Sequence, residues 1–221
     1  MTQKFTILFD QDGTLIDTAP DLIRAHNHVM KKFGYPTKTL GELKNAVGRG
    51  AKAMMAKANG QWKWFDEKIQ NEMTNEFLSY YGENIFQESK LINGVNEFLN
   101  WCKKENISMA VCTNKTEHLA VDLLKKIGIY DYFEYVAGYN TFEYCKPDPR
   151  HLTTIIEILD GDINKSLMIG DSETDANAAK AAEIPIILLK YGYTEKKSSE
   201  IYHNHLVKDF VGIEKIISEY L

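Results

Sequence analysis

The 221-residue chain has no apolar run long enough to span a bilayer, and no signal-peptide pattern precedes its first apolar segment. Both absences lead us to expect a cytoplasmic protein. Cysteine is scarce. Cys102, Cys112 and Cys145 are an odd number without metal-type spacing, so neither a disulfide framework nor a zinc module is expected. Cys112 lies in an apolar run and reads as an ordinary buried thiol. Positive charge is also short, with 26 basic against 31 acidic residues and a net charge of −5. That balance argues against wrapping nucleic acid. Only three of the basic residues are arginines, Arg24, Arg49 and Arg150. No internal repeat or low-complexity tract interrupts the chain. With 44% hydrophobic and 26% charged residues, what remains is a soluble globular protein able to bury a substantial core.

The strongest signal is the opening stretch from Phe5 to Asp17. Phe5 to Phe9 reads as a short strand buried on both faces. It ends in two carboxylates, Asp10 and Asp12, followed by Gly13. The pattern then turns helical for about seventy residues with no strand between. Leu22, Ile23, Val29, Met30 and Phe33 form one apolar face, stopped by Gly34-Tyr35-Pro36. A second helical stretch follows the glycines at 48 and 50, and a third runs from near Trp62 to Tyr81. From Leu91 onward helix and strand alternate. Strands are expected at 107–112, 133–137, 166–169 and 184–189, a helix of small residues at 176–182 and a closing helix at 210–220. The polar stretch from Tyr191 to Leu206 reads as extended loop. Alternation of this kind implies an α/β fold with a doubly wound parallel sheet. The helical block after the first strand is an insertion, so we expect a core of residues 1–16 and 91–221 with a helical cap at 17–90.

Open α/β sheets place their chemistry at strand ends. Two acids as close as Asp10 and Asp12 repel unless a cation or a shared proton intervenes. A metal would relieve that cost, leaving one carboxylate to attack and the other to move protons. An Asp N-cap in a polar turn remains the alternative for this stretch alone. A calcium loop fits poorly, because Leu15 and Asp21 stand where such a loop needs glycine and glutamate. Thr113-Asn114 ends the next core strand and could supply a hydroxyl and backbone N–H groups to a phosphoryl oxygen, or simply cap a helix. Lys146 lies in a loop stiffened by Pro147 and Pro149, although a lone lysine is more often a solvated surface charge. Gly170-Asp171-Ser172-Glu173-Thr174-Asp175 repeats the opening theme, with Asp171 and Asp175 facing the same side of a helical turn. Helix-dipole stabilisation is the competing explanation for those acids. Two acidic strand ends without a His/Cys ligand set favour Mg²⁺ over Zn²⁺.

Taken in order, DxDGT at 10–14, Thr-Asn at 113–114, Lys-Pro at 146–147 and GDSxxD at 170–175 resemble the four motifs of the haloacid dehalogenase superfamily. The resemblance implies a Rossmann-like core with the superfamily's first type of cap, and a Mg²⁺-dependent phosphatase acting through an aspartyl-phosphate. It assigns Asp10 as nucleophile and metal ligand. Asp12 becomes the general acid/base, its backbone carbonyl on the metal. Thr113 and Asn114 become phosphate ligands, and Lys146 screens nucleophile and phosphate. Asp171 becomes a direct metal ligand and Asp175 its support. Asp12 is generally missing from relatives that cleave carbon–halogen or carbon–phosphorus bonds, and Thr14 is usually Val in the sugar-phosphate mutases, so the resemblance points to ester hydrolysis.

Within the superfamily, residues 10–22, Val47-Gly-Arg-Gly50, Val111–Lys115, 128–133 and Met168–Ser172 are most similar to bacterial phosphoglycolate phosphatases. Gln11, Asn93 and Tyr139-Asn140 depart from that pattern, none at a catalytic position. Arg49, flanked by glycines, could fork a substrate carboxylate, or be a surface arginine in a loop. The expected partner is a small phosphorylated metabolite. Competing readings are a broad phosphatase, a nucleotidase or a pyrophosphatase of the same superfamily. A phospho-acceptor signalling protein of receiver type is a rival of another class, as is a binding module that kept only the fold. The pair His203 and His205 carries no assignment.

Overall fold

The computed structural model describes residues 3–47, 50–57, 66–194 and 196–221. The first strand, β1 (Thr6–Phe9), is completely buried. Ile7 and Phe9 point into one apolar cluster and Leu8 into a second on the opposite face, which is why the segment shows no polar alternation. β1 is followed by the two-residue strand β2 (Ile16–Asp17) and then by four helices, α1 (Ala19–Lys32), α2 (Leu40–Val47), α3 (Ala51–Lys57) and α4 (Glu67–Glu83). The chain comes back through β3 (Lys90–Leu91), which pairs antiparallel with β2.

From there the expected alternation appears: α5 (Val95–Lys104), β4 (Ser108–Cys112), α6 (Glu117–Ile127), β5 (Tyr135–Ala137), α7 (Arg150–Ile158), β6 (Ser166–Gly170), α8 (Glu173–Ala181) and β7 (Ile186–Leu189). The last elements are β8 (His205–Val207) and α9 (Glu214–Ile217). Six strands form one parallel sheet in the order β5-β4-β1-β6-β7-β8. The expected α/β doubly wound core is therefore present. β1 lies between β4 and β6, with Phe9 level with Val111 on one side and Ile169 on the other. The three chemistry-bearing strand ends thus finish side by side.

Two expectations at the C-terminal end are corrected. The stretch from Tyr191 to Leu206 is not all loop, because β8 begins at His205 and extends the sheet beside β7. A three-residue edge strand carries too little apolar pattern to be read from sequence. The closing helix is far shorter than 210–220, since Gly212 takes a left-handed φ of +81° and breaks it before Glu214. In the helical block, α4 is capped by Asp66, whose carboxylate accepts the Lys68 N–H at 2.9 Å. The stretch 62–65 of the expected helix lies outside the described residues. Met73, Phe77 and Tyr81 form its buried face, whereas Ile69 is exposed. Burying a side chain of this size contributes about 1.5–3 kcal/mol, so this face holds α4 against the rest.

The point where the chain re-enters the sheet layer is fixed by one buried acid. Asp21, in the first turn of α1, accepts hydrogen bonds from the N–H groups of Gln87, Glu88 and Ser89 at 3.0–3.1 Å and from the Ser89 hydroxyl at 2.6 Å. It also pairs with Arg24 at 2.7 Å. These bonds hold its pKa below the usual aspartate value despite burial.

Candidate active site

Asp10 leaves β1 at the middle of the sheet, and Gly13 turns the chain back with φ +84°. A Cβ there would lie 2.4 Å from an Asp171 carboxylate oxygen, so only glycine lets the two strand ends approach so closely. Gly192 serves the same purpose from the far side, where a Cβ would meet the Asp171 backbone at 2.2 Å. Asp171 follows β6 and is clamped by the Thr14 hydroxyl at 3.0 Å and the Tyr193 N–H at 2.7 Å. The Tyr193 hydroxyl in turn donates to Asp17 and accepts the Ala19 N–H at 3.0 Å.

Asp175 sits in the first turn of α8, and its Ser172 capping box closes the turn. One of its oxygens accepts the N–H groups of Asp171 and Ser172 at 3.1 and 3.0 Å and the Ser172 hydroxyl at 2.7 Å. The other takes Lys146 Nζ at 2.6 Å. Lys146 reaches Asp10 as well, at 2.9 Å, and its side chain is buried. The loop carrying it is tied down by the Asn114 side-chain amide, which donates to the Lys146 carbonyl at 2.9 Å, and by Nδ1 of His151, which accepts the Lys146 N–H at 3.2 Å. One of the two N–H donors of the Asn114 amide is therefore committed to the loop, and the backbone N–H of that residue can also serve a ligand. Thr113 is buried at the end of β4; its oxygen accepts the Lys115 N–H at 3.2 Å, leaving the hydroxyl proton to donate.

The structure thus brings Asp10, Asp12, Thr113, Asn114 and Lys146 to one cavity of about 390 Å³, with Asp171 and Asp175 grouped against Asp10. The opposite wall comes from the helical block, including Leu22, Met54, Asn71, Thr74, Phe77 and Tyr81. Arg49 lies outside the described residues. Two contributors went unread in the sequence. Lys115 is buried with its ammonium 2.9 Å from Asp12, and Tyr81 accepts a hydrogen bond from that ammonium at 2.9 Å. Lys115 directly follows Thr-Asn, but nothing in its spacing names a partner a hundred positions earlier. Tyr81 ends a helical stretch, and its position in that pattern speaks only of packing.

The electrostatics are unbalanced. Carboxylate oxygens of Asp10, Asp171 and Asp175 lie within 4.8 Å of one another, all buried, and Lys146 is the cation among them. Burial pushes the Asp10 carboxyl up to about 6, with Asp175 and Asp12 adding to the rise and Lys146 offsetting part of it. Burial together with Asp10 and Asp175 holds Asp171 well above the ordinary carboxylate range. Burial opposes charge on Lys146, but Asp10 and Asp175 outweigh it and keep the ammonium protonated. A dry cluster of hard oxygen donors with excess negative charge fits a divalent cation such as Mg²⁺ or Mn²⁺. Asp10 and Asp171 are better suited to hold it than Asp175, because each oxygen of Asp171 carries a single neutral donor, whereas one oxygen of Asp175 carries three donors and the other an ammonium.

Residues 7–189 match the model of the haloacid dehalogenase-like hydrolase family. The chain belongs to that family. It is a hydrolase by descent, and the resemblance carried by its four motifs is borne out. A phosphoglycolate phosphatase of Mesorhizobium japonicum is 36% identical over 216 residues, covering 97% of this chain and 95% of its own length. The phosphoglycolate phosphatase of Agrobacterium fabrum is also 36% identical, with 96% and 94% covered. In fold, the chain superposes with a TM-score of 0.90 on the crystal structure of a Haemophilus somnus protein predicted to be a phosphoglycolate phosphatase; identity there is 29%, and 98% and 99% of the two chains are covered.

Proposed function

We propose that this haloacid dehalogenase-like hydrolase cleaves phosphoric monoesters of small metabolites, 2-phosphoglycolate first among them, with Mg²⁺ as cofactor. The observation that carries the reading is the convergence of Asp10, Asp12 and Lys146 on one cavity over the buried acid cluster. Asp10 is the nucleophile: its carboxylate oxygen bonds to phosphorus in line with the departing ester oxygen, forming an aspartyl-phosphate. Asp12 gives its proton to that oxygen, then takes one from the water that hydrolyses the aspartyl-phosphate. The Thr113 hydroxyl and the Asn114 backbone N–H hold phosphoryl oxygens, and Lys146 screens charge between nucleophile and phosphate. When bound by Asp10, the Asp12 backbone carbonyl and Asp171, with Asp175 in support, Mg²⁺ supplies Lewis-acid neutralisation of phosphoryl charge. Residues 17–90 act as a cap that excludes water, and the protein works in a reducing cytoplasm, where its three cysteines stay unpaired. Among the described residues, no helix is long and apolar enough to cross a membrane.

The names and coverage of the relatives favour phosphoglycolate as substrate, and Arg49 is proposed to contact its carboxylate. The cavity of about 390 Å³, with several apolar walls, favours a second reading as a broad phosphatase. Release of inorganic phosphate from a substrate panel separates the two. A kcat/KM for 2-phosphoglycolate at least tenfold above those for nucleotides, pyrophosphate and sugar phosphates supports the first. Asp10→Asn, kept from deamidating, should lower turnover by about 10³-fold or more; undiminished hydrolysis would end the phosphatase reading. Arg49→Ala should raise KM for phosphoglycolate several-fold more than for p-nitrophenyl phosphate.

A further inference from the structure

Asp12 does not stand free in the cavity. Lys115 Nζ approaches its two carboxylate oxygens at 3.0 and 2.9 Å, closing a fork that fixes the plane of the group. Both side chains are nearly dry, 5% and 11% exposed, so water cannot replace the contact cheaply. Lys115 is itself pinned from two directions. Its backbone N–H is bound to the Thr113 hydroxyl. Its ammonium is bound by the Tyr81 hydroxyl at 2.9 Å and lies 4.4 Å from the centroid of the Tyr81 ring. Tyr81 comes from α4 in the helical block, whereas Asp12 and Lys115 come from the sheet. The setting of Asp12 is therefore assembled from both parts of the molecule.

Resting on the phosphatase reading above, we propose that Lys115 is a positioning residue for Asp12, and that Tyr81 completes this setting from the helical block. Proton transfer to a leaving group demands that the carboxyl be aimed within about 0.5 Å and 10–20° of its target. A carboxylate with free rotation in a cavity this size meets that demand only part of the time. The step served is the first one. The phosphorus–ester oxygen bond breaks as Asp10 bonds to phosphorus, and the proton of the Asp12 carboxyl, whose oxygens keep acceptor capacity for Lys115 when protonated, moves to the departing alkoxide. Lys115 keeps its protons throughout and touches neither phosphorus nor the ester oxygen.

An alkyl phosphate needs that proton, whereas p-nitrophenolate leaves as an anion. The test is therefore kcat/KM, which reports steps through aspartyl-phosphate formation, for 2-phosphoglycolate and p-nitrophenyl phosphate with Lys115→Met, Lys115→Arg and Tyr81→Phe. Lys115→Met should lose 10–100-fold on the alkyl ester, out of the roughly 10²–10⁴-fold that general acid catalysis supplies, and at least tenfold less on the aryl ester. Lys115→Arg should recover part of the difference. Tyr81→Phe, which keeps the ring, should show a smaller loss of the same selectivity and covers the case in which Lys115→Met does not fold. Equal losses on the two esters would make Lys115 a phosphate ligand or a merely structural residue and overturn the proposal, as would no loss in any variant. A parent enzyme that hydrolyses neither ester removes the phosphatase reading as well, so the two failures are told apart.

Discussion

The buried acid cluster predicts that a divalent cation stabilises the protein, and that the gain depends on pH. With no cation, the Asp10 carboxyl lies at about 6 rather than 3.8. The difference of about 2.2 pH units corresponds to roughly 3 kcal/mol. The sign follows from proton binding. Between pH 4 and 6 the folded protein holds a proton that the unfolded chain has released, so stability from this group falls as pH rises and the full penalty is present above pH 6. Asp171, also raised, adds to it. A cation offsets this penalty of burial and like charge, and at a hundred times its Kd it adds about 2.7 kcal/mol. For a chain of this size that is roughly 5–10 °C in Tm. Calorimetry with and without Mg²⁺ at pH 7.5 and pH 5 should show a shift of that size at the higher pH and less than half of it at the lower, where protons compete for Asp10. Asp171→Asn should abolish the Mg²⁺ shift and make the metal-free protein more stable than its parent at pH 7.5. A shift that is the same at both pH values, or that survives Asp171→Asn, would refute the reasoning.

Two further outcomes follow from the surrounding groups. Burial, with Lys146 adding to the effect, pushes the His151 imidazole down to about 4, so its contribution is present above pH 6.5 and lost as pH falls toward 4, by up to about 3 kcal/mol. Urea titrations should show His151→Gln flattening the pH dependence in that window, opposite in sign to the Asp10 effect. Tyr193→Phe leaves the Ala19 N–H and the Asp17 carboxylate without their partner, and urea unfolding should register a loss of about 1–3 kcal/mol.

Why so much of the site could be read in advance is a matter of chain locality. Asp10, Asp12, Thr113, Lys146, Asp171 and Asp175 each lie close to an apolar strand or a proline-stiffened loop, so short patterns announce them. The parallel sheet was equally legible, because strands such as Ile186–Leu189, buried on both faces, appear as uninterrupted apolar runs. Lys115 and Tyr81 were not legible, since their meaning lies in each other and in Asp12, and no local pattern encodes a contact between α4, the turn after β4 and the turn after β1. The same holds for Tyr193, whose aromatic ring in a glycine-containing loop gave no hint that its N–H and hydroxyl would serve Asp171 and Asp17. β8 and the truncated final helix were misread for a simpler reason: three edge residues and one left-handed glycine outweigh composition there.

The distribution of sulfur has a practical consequence. Cys102 and Cys112 are fully buried, and burial raises both thiols, the first to about 12. Both are effectively inert toward alkylating reagents at neutral pH. Burial raises the Cys145 thiol as well, with Lys146 offsetting part of the rise, but Cys145 is partly accessible and lines the cavity beside Lys146. A mildly alkaline dose of a thiol-reactive fluorophore would therefore tag a single position per molecule, and the rate of tagging would report occupancy next to the reacting centre without any engineered mutation.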